Sequence, residues 1–131
     1  MIQTSNAYFT YKKGRTIEKV PVDEIIYIES FLRKMAMHLT DGRQETFYGN
    51  FKDVYQEKLH KYGFIQVHRS FVVNSSFIAE IKNLELILID GETLPIAENR
   101  QKEVKAAFSN ILERVILSNT QRARKHVSGS A

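Results

Sequence analysis

Apolar and polar positions alternate over short runs along most of the chain, which predicts strands rather than long helices. Three X-Gly pairs separate such runs. Lys13-Gly14 joins "AYFTYK" to "RTIEKV", Asp41-Gly42 joins "KMAMHLT" to "RQETFYG", and Asp90-Gly91 joins "LELILI" to "ETLPIA". Each is expected to be a two-residue hairpin turn. Glycine supplies the positive φ that primed turns require, and Asp-Gly is the stronger signal because lysine tolerates positive φ poorly. "DEIIYIES" carries apolar residues on both faces, so it predicts a central strand covered on both sides. "FIQVH" and "FVV" read as two further strands, with Arg69-Ser70 at the break between them. Asn74 is expected to cap the turn after Val73.

The period changes in two places. Residues 50–61, "NFKDVYQEKLHK", put Phe51, Val54, Tyr55 and Leu59 at helical spacing, with Asn50 as N-cap and Gly63 as stop. Residues 100–117 place Val104, Phe108, Ile111, Leu112 and Val115 on one stripe, with Asn99 as candidate N-cap. Ile116 and Leu117 widen that stripe. Many short strands with one small and one final helix predict a mainly antiparallel β domain over 1–117. Residues 118–131 are polar and basic and predict a disordered tail.

Composition narrows the function. A 131-residue chain with 43% hydrophobic and 26% charged residues is in the globular range. Without cysteine there are no disulfides, thiolate nucleophiles or Cys-based zinc sites. With no apolar run near the ~20 residues of a membrane span and no signal-peptide pattern at the start, a soluble, cytoplasmic domain is expected. The net charge of +4 is unevenly spread. Residues 1–99 hold 12 Lys/Arg against 13 Asp/Glu, whereas residues 100–131 hold 7 against 2. The excess suits a polyanionic partner or a solubilising tail.

Catalytic signatures are missing. The histidines His38, His60, His68 and His126 form no HxxxH or HExxH pair, and no metal site is expected. No GxSxG elbow, P-loop or GxGxxG occurs. His68 and Ser70 would share a strand face as base and nucleophile, but no third group at a recognisable spacing orients the histidine. Glu103 and Glu113 lie about 15 Å apart along a helix, too far for shared acid–base work. The chain is therefore expected to bind rather than catalyse, with no cofactor.

Four ordered blocks carry a family resemblance: "VDEIIYIES" at 22–30, "HLTDGRQETFYGNFKDV" at 38–54, "GFIQVHRSFVVNSSFIAEI" at 63–81 and "DGETLPIAENRQKEVKAAF" at 90–108. Over roughly residues 5–110 the chain resembles the LytTR DNA-binding domain of bacterial response regulators. The resemblance implies an elongated arrangement of small antiparallel sheets and short helices, whose loops enter the DNA major groove. It implies sequence-specific binding to double-stranded promoter repeats, in transcription regulation, by the output domain of a two-component regulator, with a homodimer on paired half-sites.

Carried onto this sequence, the first contact loop contains Arg33 and Lys34, suited to guanine edges or phosphates. The second is His68, Arg69 and Ser70. There Arg69 would touch a base or phosphate while the other two donate to phosphate. The third departs from the family pattern, because Glu98 stands where a basic reader is usual. Asn99 or Arg100 would substitute there, and Lys102 would reach the backbone. The competing reading is a protein-interaction module that presents the final helix stripe to a partner.

Overall fold

The computed structural model describes residues 7–110. Among them, ten strands pair antiparallel in three sheets. β1 (Tyr8–Lys13) and β2 (Thr16–Pro21) form a hairpin. β3 (Ile25–Phe31), β4 (Lys34–Leu39), β5 (Gln44–Tyr48), β6 (Phe64–His68) and β7 (Phe71–Asn74) build the central sheet in the order β5-β4-β3-β7-β6. β8 (Ile78–Lys82), β9 (Glu85–Leu88) and β10 (Thr93–Pro95) form the third sheet.

β3 is the middle strand, as its two-faced apolar pattern predicts, and each face meets a separate core. Ile25 and Ile28 join Met35, Met37, Phe64 and Val72 against Phe9, Tyr11 and Val20 of the first hairpin and Leu59 of the intervening helix. Tyr27 joins Ile65, Val67 and Val73 against Ile78, Leu86, Leu88, Leu94 and Val104. A bulge sets this phase: Ile25 pairs with Leu39 but Tyr27 pairs with the adjacent His38. The extra residue lets Ile25 and Ile28, three apart, share a face that strict alternation would deny them. Full burial of each such side chain contributes about 1.5–3 kcal/mol.

The glycine turns depart from the expected two-residue X-Gly form. Lys13 stays in the strand and pairs with Thr16, so the first turn is Gly14-Arg15. Glycine takes the first position at φ +63, which spares the lysine a left-handed backbone. The two Asp-Gly turns are three-residue loops with one shared geometry. The Leu39 N–H donates to the Arg43 carbonyl and the Gly42 N–H to the Leu39 carbonyl; Leu88, Glu92 and Gly91 repeat both bonds. Each aspartate accepts from the N–H two residues on, Arg43 in one and Glu92 in the other, at 2.9 Å in both. That local bond favours a longer turn closed by a left-handed glycine.

The helix between β5 and β6 starts and stops as predicted. Asn50 Oδ1 accepts from the Asp53 N–H at 3.0 Å, and Gly63 ends it at φ +88. Its interior is not a regular α-helix. An α turn at Phe51–Asp53 passes into a π-helical stretch at Val54–Leu59 and a 3₁₀ turn at His60–Tyr62. The His60 N–H reaches back five residues to Tyr55. Leu59 is fully buried, while Phe51, Val54 and Tyr55 pack half-buried against the same core.

The final helix opens with a 3₁₀ turn at Glu98–Arg100 and is α-helical over 101–110. Its N-cap is Ala97, not Asn99. The Ala97 N–H donates to the Val67 carbonyl at 2.9 Å, which holds residue 97 extended and starts the helix earlier than expected. Val104, Ala107 and Phe108 pack onto the second core, so the described part of the stripe is used internally. Ile111, Leu112, Glu113, Val115, Ile116, Leu117 and the segment 118–131 with His126 lie outside the described residues.

Two polar contacts lock the sheets. Asn74 is 4% exposed. Its Nδ2 donates to the Ile25 carbonyl and its Oδ1 accepts from the Ser76 N–H, both at 3.0 Å, capping the turn as expected. Asn74→Ala leaves a buried carbonyl and an amide without partners and is expected to cost about 2–3 kcal/mol, read from urea unfolding; a loss below about 0.5 kcal/mol would show the contact to be dispensable. The Tyr27 hydroxyl donates to Glu92 Oε2 at 2.8 Å. Burial first, and then this bond, raises the Tyr27 hydroxyl above its ordinary value. The neutral form is favoured in the fold, so its stabilisation is complete below the unfolded value of about 10 and is lost as pH rises through the folded value. Tyr11 and Tyr55 are raised in the same direction by burial. Tyr27→Phe is therefore expected to flatten, not abolish, the fall in unfolding midpoint above pH ~10; identical slopes would exclude Tyr27 as a source.

Candidate nucleic-acid interface

Two backbone hydrogen bonds bring the predicted contact segments to one end of the central sheet. The first ties β3 to the β6–β7 turn: the Ser30 N–H donates to the Ser70 carbonyl at 2.8 Å. One residue further, Phe31 pairs with Lys34 across the two-residue turn Leu32-Arg33. The Leu32-Arg33 and Arg69-Ser70 turns are thus neighbours on adjoining strands. The second tie is the Ala97–Val67 bond, which sets the start of the final helix beside the exit of β6. Across the rim the order is Tyr48, which pairs with Lys34, then Arg33, then Arg69, then Arg100.

Exposure separates the side chains. Arg33, Arg69, Asn99 and Lys102 are exposed, while Lys34, His68, Ser70 and Arg100 are partly covered. His68 Nδ1 accepts from the Ser70 backbone N–H at 3.1 Å, and the ring stands edge-on to Phe71. With Nδ1 an acceptor, the neutral ring carries its proton on Nε2. His68 therefore shapes the turn with one nitrogen and keeps the other as a donor. Ser70 meets the imidazole through its backbone amide, an arrangement unlike a base and nucleophile.

Arg69 and Arg100 line the same groove, between the helix after β5, the β6 edge and the final helix. Lys52 and Gln66 line it too. Sequence reasoning did not single out Lys52; its place in the first turn after Asn50 was the available signal. The groove also holds Glu103, whose Oε1 lies 3.5 Å from Arg100 Nη1. Arg33 and Lys34 stand outside this groove, in a shallower recess with Phe31, Leu32 and Tyr48.

Glu98 falls in the first turn of the final helix. A carboxylate there is favoured by the unpaired N–H groups of the helix start. That accounts for an acidic residue at this position without giving it a contact role. Among the described residues, no cluster of three or more His, Asp or Glu side chains could hold a metal ion. No helix among them is long and apolar enough to cross a membrane.

Comparison with known proteins bears on the fold and the family. The profile of the LytTr DNA-binding domain matches residues 15–109. The Sensory transduction protein LytT of Bacillus subtilis (strain 168) is 42% identical over 57 residues, covering 40% of this chain and 24% of that protein. The protein of the same name from Enterococcus faecalis (strain ATCC 700802 / V583) is 28% identical over 111 residues, covering 73% of this chain and 46% of that protein. The chain thus spans less than half the length of these curated relatives. Among solved structures, the LytTr domain of a methyl-accepting/DNA response regulator from Bacillus cereus superposes with a TM-score of 0.64 at 23% identity, covering 77% of this chain and 95% of that one. The likeness supports the fold, and the profile match supplies the family: the chain belongs to the LytTr DNA-binding domain family.

Proposed function

We propose that the basic rim of the central sheet is the surface that grips double-stranded DNA, with turn side chains entering the major groove. Family membership makes this a DNA-binding domain of transcription regulation. The finer assignment rests on one observation: main-chain bonds set the Leu32-Arg33 turn, the Arg69-Ser70 turn and the start of the final helix side by side. In this reading Arg69 reads a base edge, as a fork of donors suits guanine O6 and N7. Arg33 shares base readout. Lys34, Ser70, His68 through Nε2, Arg100 and Lys102 hold phosphates, with Asn99 at the helix start. Lys52 adds a further cation to the Arg69–Arg100 groove. Arg100 is released from Glu103 when a phosphate takes its place.

The domain acts as the output part of a response regulator and binds promoter repeats as a dimer on paired half-sites. The sensory-transduction names of its relatives support that placement.

Binding to promoter duplexes is expected to weaken log-linearly with salt, with a slope of about 0.9 per phosphate contact. Absence of binding at low salt, on promoter and random duplex alike, would refute the proposal. Arg69→Ala is expected to cost about 1–3 kcal/mol at the specific site and to relax selectivity at one base position. Wild-type affinity in that variant would remove Arg69 from the contact set.

A further inference from the structure

The rim carries one side chain that neither the fold nor the charge pattern explains. Leu32 is 97% exposed at the tip of the β3–β4 hairpin. Its φ is +59, a left-handed conformation that a bulky residue rarely adopts. Glycine or asparagine would fit that backbone with less strain, and Leu32 belongs to neither core. Phe31 and Tyr48, 47% and 75% exposed, flank it and extend the apolar tip. Arg33 and Lys34 border the same tip. An apolar knob beside two cations suits a polyanion that also displays apolar groups. Duplex DNA does so in the major groove, where the thymine C5-methyl is the apolar mark of an A·T pair.

We infer that Leu32 is a specificity-determining residue that packs on a thymine methyl group while Arg33 and Lys34 hold the flanking backbone or bases. The inference rests on the duplex-DNA reading above. The strained turn presents the side chain outward, and the two-residue loop is narrow enough to enter a groove about 12 Å wide. Strain kept at an exposed tip, with no packing role in the fold, is characteristic of contact sites.

The test begins with selection of bound duplexes from a randomised pool by the wild-type protein. Each thymine of the selected site is then replaced by deoxyuridine, which removes the methyl group alone. At one position this is expected to weaken wild-type binding about fourfold, the worth of one buried methyl-sized group. Leu32→Asn keeps similar size and suits the left-handed backbone, so its thermal midpoint is expected to equal or exceed wild type. That variant should bind the thymine site at least about fourfold more weakly and no longer distinguish thymine from uracil. Indifference of the wild type to every uracil, or an unchanged uracil penalty in Leu32→Asn, would overturn the inference and leave the duplex reading standing. Recovery of no preferred sequence would overturn sequence-specific readout, and this inference with it.

Discussion

Everything in the molecule follows from burying β3 on both faces. A strand that is apolar on two sides needs two covers. The hairpin β1–β2 and the helix after β5 cover one face, while the β8–β10 sheet and the final helix cover the other. The bulge between Ile25 and Tyr27 is the adjustment that serves both cores at once. Asn74 adds a polar restraint at the same place, holding the Ile25 carbonyl where β3 begins. β10 ends this chain of cover with Pro95 on a sheet edge, where a missing N–H costs no ladder bond.

With both faces occupied, the central sheet has little left to offer a partner except the ends of its strands. At one end the turns carry Arg33, Arg69 and, beside them, Arg100. The carboxylates nearest these cations have structural work instead. Glu98 sits in the first turn of a helix, and Glu103 balances Arg100. Glu103 thus offsets part of the positive charge that Arg100 brings to the rim.

Every described strand except β8, their antiparallel pairing and the centrality of β3 were legible in the sequence because they depend on period and burial, which neighbouring residues express directly. The caps Asn50 and Asn74 were legible for the same reason: each bonds to an amide two or three residues away. What failed depended on distant partners or on small differences in backbone preference. Asn99 looked like an N-cap, but the Val67 carbonyl, thirty residues earlier in the chain, takes the Ala97 amide and moves the helix start. The Asp-Gly turns were located correctly and misjudged in length, since one side-chain bond from aspartate decides between two loop forms. The π-helical stretch has no marker in "NFKDVYQEKLHK". Of the site, the resemblance singled out the residues, but only the fold brings Lys52 to Arg69 and Arg100, and only the backbone angle sets Leu32 apart from an ordinary exposed leucine.

The ties at the rim, Ser30 to Ser70 and Ala97 to Val67, run from main chain to main chain. Neither depends on the identity of the residues that carry it. Exchange of side chains at 33, 69 or 100 therefore alters what the rim presents and leaves intact where it is presented. Such a scaffold lets the exposed side chains of the rim vary at little cost to the main-chain ties that place them.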